Sequence, residues 1–133
     1  MTTRILLVDD SEQWLSVERS IVQGIPGFCV IGEARDGLEA IEQSSKLSPD
    51  IVLLDIGMPL LNGIDAAQQI RKDSPSSRVV FVTQEHDAEI RDAALATGAE
   101  GFLLKANAVR ELLPAVEAAL REPLDGPKRG SAR

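Results

Sequence analysis

The sequence predicts an α/β protein with a doubly wound parallel sheet. Five short apolar runs alternate along the chain with segments of helical periodicity. The runs are continuous and most are rich in Val and Ile, which is typical of parallel strands covered by helices on both faces. The predicted strands are residues 5–8, 28–31, 51–54, 79–82 and 101–104. Short connections between strands and helices then predict five right-handed βα units, a (βα)5 architecture.

Apolar residues three or four positions apart define the predicted helices. The stripe of the first helix consists of Trp14, Val17, Ile21 and Ile25, and Pro26 ends it. In the next four helices the predicted buried faces are Leu38 with Ile41; Ile64, Ala67 and Ile70; Ile90, Ala93 and Ala94; and Val109, Leu112, Leu113, Val116 and Leu120. Asp36 and Asp87 stand where N-caps are expected, and Gly98 stands where the fourth helix should end.

The expected strand order is 2-1-3-4-5, the flavodoxin-like arrangement. In such a sheet the ligand site lies at the carboxyl ends of the strands, at the switch point beside the first strand. The residues that directly follow the apolar runs are therefore the candidates for a functional site.

Five chemically active side chains stand at these strand ends. Asp9 and Asp10 follow the first strand, Asp55 follows the third, Thr83 closes the fourth and Lys105 follows the fifth. Three clustered carboxylates raise one another's pKa unless a cation lies between them, and oxygen ligands with a few waters suit Mg²⁺. A carboxylate beside Mg²⁺ and an ammonium group is poised to attack phosphorus. The pattern therefore indicates a phosphoryl-transfer site.

Four motifs in this order resemble the CheY-like receiver domain of two-component response regulators. They are Leu7-Val8-Asp9-Asp10, residues 54–63 (LDIGMPLLNG), Val82-Thr83 and residues 98–105 (GAEGFLLK). The resemblance covers about residues 4–121. Residues 33–40 (EARDGLEA) and 102–106 (FLLKA) are most similar to receivers of the LuxR/NarL-type branch.

The resemblance implies that Asp55 is the phosphoacceptor. Its phosphoryl group would come from a phosphohistidine on a sensor histidine kinase or a phosphotransfer protein. Asp10, Asp55 and the Gly57 carbonyl would bind Mg²⁺ directly, and Asp9 would act through a metal-bound water.

The resemblance also implies a switch. Thr83 and Lys105 would contact the phosphoryl oxygens, and Phe102 would turn inward when the Thr83 hydroxyl moves to the phosphate. The changed face, around helix 4, strand 5 and helix 5, would bind a partner or a second copy of the chain. Gln84 departs from the small residue that is usual after the switch threonine, and a long amide there could narrow access for the phosphodonor.

Composition bounds the remaining possibilities. A net charge of −7 is not the electrostatic footprint of a nucleic-acid binder, so we expect no nucleic acid to bind this chain itself. The four-residue apolar run near the N-terminus is too short for a signal peptide or a membrane span, which favours a cytoplasmic protein with no membrane contact. The single cysteine, Cys29, lies in an apolar run and is expected to be a core thiol.

We expect residues 1–121 to form the receiver domain and residues 122–133 to be a disordered tail or a truncated linker, because Pro and Gly interrupt all periodicity there. The chain is either a stand-alone receiver or the N-terminal part of a LuxR-type transcriptional regulator. In both cases we expect a phosphorylation-controlled switch that promotes its own phosphorylation and dephosphorylation, and not an enzyme.

Other functions fit the residues less well. A haloacid-dehalogenase-like phosphotransferase needs an Asp-x-Asp pair after strand 1, but Ser11 and Glu12 follow Asp10. Two acids in the first loop would repel the phosphate of a flavin, and a G-x-G-x-x-G turn for a dinucleotide is absent there. A pseudo-receiver that acts only by protein contacts remains an alternative, although Asp55 and Lys105 are both intact.

Overall fold

The computed structural model describes residues 2–84 and 87–124. The strands are β1 (Thr3–Val8), β2 (Phe28–Ala34), β3 (Ile51–Leu54), β4 (Arg78–Thr83) and β5 (Gly101–Leu104). The helices are α1 (Glu12–Gln23), α2 (Gly37–Leu47), α3 (Gly63–Asp73), α4 (Ala88–Ala96) and α5 (Ala108–Leu120), with a 3₁₀ turn at Lys105–Asn107 before α5. The sheet has the order β2-β1-β3-β4-β5 with parallel pairing throughout, which confirms the predicted fold. Residues 125–133, most of the expected tail, lie outside the described residues.

Alternate residues of the strands supply two separate cores, one on each face of the sheet. Leu6 and Val8 of β1 point into a cluster with residues of α2, α3 and α4, whereas Ile5 and Leu7 point into a cluster with α1 and α5. All four residues of β3 are buried, since this strand lies at the centre of the sheet. The helices therefore cover both faces, as the continuous apolar runs predicted.

The helix ends follow the predicted capping chemistry. The side chains of Asp36 and Asp87 accept hydrogen bonds from backbone N–H groups in the first turns of α2 and α4, which confirms both N-caps. Gly98 follows α4 with a φ of +91°, a left-handed conformation that glycine adopts without strain. Pro114 lies inside α5.

The predicted stripe of α1 is confirmed at three of its four positions, because Trp14, Ile21 and Ile25 are partly buried and pack against the core. The buried residues of this helix are Leu15, Glu18 and Val22, while Val17 is 45% exposed. The predicted stripe therefore forms one border of the contact face, whose fully buried centre is Leu15, Glu18 and Val22. Glu18, a carboxylate at the centre of that face, interrupts the apolar pattern from which a helix face is predicted.

Large apolar residues of other helices are also more exposed than predicted. Leu38 is 55% exposed and Val109 is 80% exposed, and Ala93 and Leu113 are exposed as well. Small residues take their places on the contact faces: Ala40 and Ser44 in α2, and Ala108 and Ala119 in α5. Small side chains allow the helix backbone to approach its neighbour closely. At Gly37 a Cβ atom would lie only 2.2 Å from the carbonyl oxygen of Leu61.

Cys29 is exposed, so the prediction of a core thiol is also wrong. It lies on β2, which is the edge strand of the sheet, and its neighbours in that strand are only partly buried. Because an edge strand lacks a neighbour on one side, an apolar run in it does not imply burial.

Candidate functional site

The carboxyl edge of the sheet brings the predicted side chains together. Asp9 and Asp10 follow β1, Asp55 follows β3, Thr83 ends β4 and Lys105 follows β5. Carboxylate oxygens of the three aspartates lie within 4.8 Å of one another. Parallel strands impose this convergence because their carboxyl ends share one edge.

The three carboxylates have different surroundings. Asp9 and Asp55 are buried, and Asp10 is exposed at the mouth of the site. One oxygen of Asp9 accepts a hydrogen bond from the Ser11 backbone N–H at 2.8 Å. Gly57, in the loop after β3, lines the same depression as Asp10 and Asp55. The pocket therefore has a buried floor and an open acidic rim.

Lys105 is the cation of the described site. Its Nζ atom lies 2.6 Å from Oδ2 of Asp9 and 3.8 Å from Oδ2 of Asp55. Only 11% of the Lys105 side chain is exposed, so the solvent screens these ion pairs weakly. The ammonium group can therefore reach a phosphoryl group on Asp55 with little movement.

The pKa of the Asp55 carboxyl is raised to about 6. Burial is the main cause, and the charge of Asp9 raises the value further. The Lys105 ammonium, the Ile56 backbone N–H and the Thr83 hydroxyl act in the opposite direction. A divalent cation at this position would restore the ionised, nucleophilic form of Asp55.

The loop between β3 and α3 holds Asp55 in place through very close packing. A Cβ atom at Gly63 would lie 1.9 Å from the carbonyl oxygen of Asp55, so only glycine fits. The Gly63 N–H donates to the Ile56 carbonyl at 2.8 Å, which closes the loop. Leu60 has a φ of +68°, an uncommon conformation for a residue with a side chain.

Thr83 and Phe102 lie on neighbouring strands, with Thr83 buried and Phe102 half-buried. Phe102 packs against the core on the side of α2, α3 and α4. The guanidinium carbon of Arg91 lies 5.9 Å from the centre of its ring. The ring is thus placed between the core and the surface near α4.

Two residues at the site escaped the sequence analysis as functional candidates. Trp14 has its ring centre 5.3 Å from the Lys105 ammonium. Glu18, one helical turn further on, is 1% exposed. Its oxygens make no hydrogen bond of ordinary geometry among the described residues, but the Trp14 side chain lies close enough to lower the pKa of the Glu18 carboxyl. Burial, followed by the charge of Asp9, raises the pKa of Glu18 to about 8. In the sequence, these two residues are four positions apart in the helix that follows Asp9-Asp10, and this spacing places them on one helix face near the site.

Chemically, the site combines hard oxygen donors with a buried ammonium and a hydroxyl. Carboxylates and a backbone carbonyl suit Mg²⁺, and the ammonium and hydroxyl can donate hydrogen bonds to an oxyanion. Among the described residues the three aspartates are the group that could hold a metal ion.

Comparison with known proteins agrees with this chemistry. Residues 5–117 match the family described as "Response regulator receiver domain". The chain is 43% identical over 104 residues to a protein-glutamate methylesterase/protein-glutamine glutaminase of Thermotoga maritima, covering 77% of this chain and 30% of that protein. It is 37% identical over 116 residues to the nitrate/nitrite response regulator NarL of Escherichia coli, covering 86% of this chain and 53% of NarL.

A solved structure supports the same relationship. The response regulator domain of Thermotoga maritima CheB superposes with a TM-score of 0.87 at 36% identity, covering 92% of this chain and 99% of that domain. The present chain thus corresponds to nearly all of one domain, while it spans from about a third to about half of the length of the two curated relatives.

The fold and the site define a doubly wound α/β protein with an acidic pocket and a lysine at the carboxyl edge of its sheet. Within that class the chain belongs to the response regulator receiver domain family. It is a receiver domain of two-component response regulators, and it has neighbours of the LuxR/NarL type. A haloacid-dehalogenase-like phosphotransferase and a pseudo-receiver are not favoured. Among residues 2–84 and 87–124, no helix has the length and apolar character needed to cross a membrane.

Proposed function

We propose that this receiver accepts a phosphoryl group on Asp55 from a phosphohistidine of a sensor histidine kinase or a phosphotransfer protein. The observation that carries the proposal is the position of Asp55, at the end of the central strand β3 with the Lys105 ammonium 3.8 Å away. An oxygen of Asp55 forms a bond to phosphorus while the bond between phosphorus and the imidazole nitrogen breaks, and the imidazole leaves.

The donor set of the pocket fits Mg²⁺. Asp10 and Asp55 offer carboxylate oxygens, Gly57 offers its carbonyl, and Asp9 would hold the ion through a water molecule. Burial, and after it the charge of Asp9, raises the pKa of Asp55, and a bound divalent cation would offset both effects. A bound Mg²⁺ would supply positive charge for the phosphoryl oxygens.

Side chains of the protein position the hydrogen-bond donors for the phosphoryl oxygens. The Asp9 carboxylate, at 2.6 Å, holds the Lys105 ammonium beside Asp55. The ammonium and the Thr83 hydroxyl donate hydrogen bonds to the phosphoryl oxygens. These donors are fixed by the ends of β4 and β5, so little reorganisation is needed when the charge arrives.

Phosphorylation then acts as a switch. The Thr83 hydroxyl moves towards the phosphoryl group, and the Phe102 ring turns into the space that it vacates. The result is a changed surface at α4, β5 and α5, which binds a partner or a second copy of the chain. The LuxR/NarL-type neighbours support a cytoplasmic role in transcription regulation, either as the N-terminal part of a regulator or as a stand-alone receiver.

The direct test is phosphorylation of the purified protein with phosphoramidate, with and without Mg²⁺, followed by intact-mass measurement. We expect one added phosphoryl group in the wild type with Mg²⁺ and none in Asp55→Asn. Asp65→Asn, which removes an exposed carboxylate of α3, serves as the control and should be phosphorylated normally. Equal labelling of Asp55→Asn and the wild type would overturn the assignment of Asp55.

A further inference from the structure

The Lys105 ammonium has a third neighbour besides its two carboxylates. It lies 5.3 Å from the centre of the Trp14 ring, within the range of a cation–π contact. Its distances to the carboxylates are unequal, 2.6 Å to Asp9 and 3.8 Å to Asp55. The ammonium is thus bound tightly on one side, and the ring is the neighbour that limits its movement on another.

Trp14 is itself firmly placed. The N-cap of α1, Ser11, accepts a hydrogen bond from the Trp14 backbone N–H at 3.2 Å. This first turn of the helix is also tied to the rest of the protein, because Glu12 pairs with Arg19 and with Arg35 of the β2–α2 loop. The ring is half-buried, and its buried indole N–H is directed to the Glu18 carboxyl, whose pKa it lowers.

Open space adjoins both the ring and Lys105. Two adjoining depressions of about 430 and 390 Å³ share Trp14, Gln84 and Lys105 in their walls. Lysine carries a compact charge on a flexible four-carbon stem and is strongly hydrated. Without the ring, the ammonium could swing into this space and be solvated there instead of facing Asp55.

We propose that Trp14 is a positioning residue for phosphoryl transfer, which holds the Lys105 ammonium on its ring face between Asp9 and Asp55. This inference rests on the proposed function and adds a residue of α1 to its machinery. The ring contributes through its negative face, so another aromatic ring can replace it in part and an aliphatic side chain cannot.

The experiment compares rates of phosphorylation by phosphoramidate at saturating Mg²⁺, because a small donor removes any effect on docking of a protein donor. We expect Trp14→Leu to react about 5- to 30-fold more slowly than the wild type, the loss expected for a desolvated cation–π contact. Trp14→Phe should recover most of that loss. Ser16→Ala is the matched control, since Ser16 is an exposed residue of the same helix and lines neither of the two depressions.

A spectroscopic measurement on the wild-type ring provides the second readout. Trp14 is the only tryptophan, so the fluorescence of the protein reports on the surroundings of this ring. We expect Lys105→Met, which removes the ammonium, to change the emission of Trp14, and Arg110→Met, on an exposed position of α5, to leave it unchanged. This readout remains valid if Trp14→Leu fails to fold.

Two results would overturn the positioning role: equal rates for Trp14→Leu and the wild type, or equally slow rates for Trp14→Leu and Trp14→Phe. Unchanged emission in Lys105→Met would overturn it as well. The proposed function fails in a different way, through absence of phosphorylation in the wild type or its persistence in Asp55→Asn.

Discussion

At the scale of single residues, the site is a balance of buried charges. The Lys105 ammonium lies 2.6 Å from Asp9 and largely neutralises it. The same ammonium is 3.8 Å from Asp55, so the charge of Asp55 is less well compensated. Glu18 adds a further carboxyl group behind them, which makes no hydrogen bond of ordinary geometry among residues 2–84 and 87–124 and lies near the Trp14 side chain. An unpaired carboxyl group in the interior remains tolerable when it is protonated.

Glu18 makes stability depend on pH. Its pKa is about 8 in the folded protein against an ordinary value of 4.5, so the unfolded chain ionises first as the pH rises. The wild type therefore loses stability between about pH 4.5 and pH 8, by an amount on the order of a few kcal/mol at about 1.4 kcal/mol per pKa unit. Glu18→Gln should not show this loss.

Urea unfolding at pH 5 and pH 8 measures the effect. The advantage of Glu18→Gln over the wild type should be larger at pH 8 than at pH 5. The exposed Glu42 of α2 provides the control, and Glu42→Gln should follow the wild type at both values. An advantage of Glu18→Gln that does not change with pH would contradict the buried, protonated state.

At the scale of elements, loops and strand ends position the site. The β3–α3 loop folds back on Asp55 so closely that Gly63 has no space for a side chain. The ends of β4 and β5 carry the two donors, Thr83 and Lys105, on neighbouring strands. Substitutions in the β3–α3 loop and at the ends of β4 and β5 should therefore have separate effects, the first on stability and the second on the response to phosphorylation.

Gly63→Ala should destabilise the protein by about 1–3 kcal/mol, because its Cβ atom would overlap the Asp55 carbonyl and force the loop to move. Gly24→Ala is the matched control: there a Cβ atom meets no atom closer than 3.4 Å. Chemical unfolding of both variants gives the comparison. Equal stability of the two variants would show that the loop can relax without cost.

Thr83→Ala should still accept a phosphoryl group on Asp55 but should no longer transmit it. In the wild type, beryllofluoride, a mimic of the aspartyl phosphate, should alter amide exchange across residues 87–110, and this response should be largely absent in Thr83→Ala. Thr97→Ala, at the end of α4, removes a hydroxyl that bonds only within its own turn region and serves as the control. An unchanged response in Thr83→Ala would exclude this route.

The sequence was sufficient for the sheet and for the majority of the apolar residues on the helix faces, and insufficient for the small and charged residues that also lie on those faces. The continuous apolar run Ile51–Leu54 is buried on both sides because β3 lies at the centre of the sheet. Helix faces are set by which side approaches the sheet, and here small or charged residues such as Ala40 and Glu18 occupy that side. The strand-end residues were predictable because topology alone brings them together. Trp14 was not, since its function depends on a contact across the site.

At the scale of the whole molecule, the acidic pocket lowers the folding stability of an otherwise well-packed domain. Asp9, Asp10 and Asp55 repel one another, and the net charge of −7 adds to the effect. A ligand that binds only the folded state stabilises it by mass action, about 2.7 kcal/mol at a concentration of 100 times its Kd. Cation binding and global stability are therefore linked.

Mg²⁺ should raise the Tm of the wild type by several degrees. Asp10→Asn should melt higher than the wild type without Mg²⁺, because a repulsive charge is removed, and should gain less from Mg²⁺, because a ligand is lost. Titration calorimetry measures the affinity directly. Asp92→Asn, which removes an exposed charge of α4, is the control. An unchanged Mg²⁺ affinity in Asp10→Asn would show that this carboxylate is not a direct ligand.

The exposed thiol of β2 has a practical consequence for work on this molecule. Cys29 is the sole cysteine of the chain, and the order of the sheet places it on the opposite edge from β5. A maleimide dye or a nitroxide attached there is separated by three strands from the surface that we expect to rearrange. Paired with a second label introduced on α4, it provides a reference point for distance measurements, and no other native thiol has to be removed beforehand.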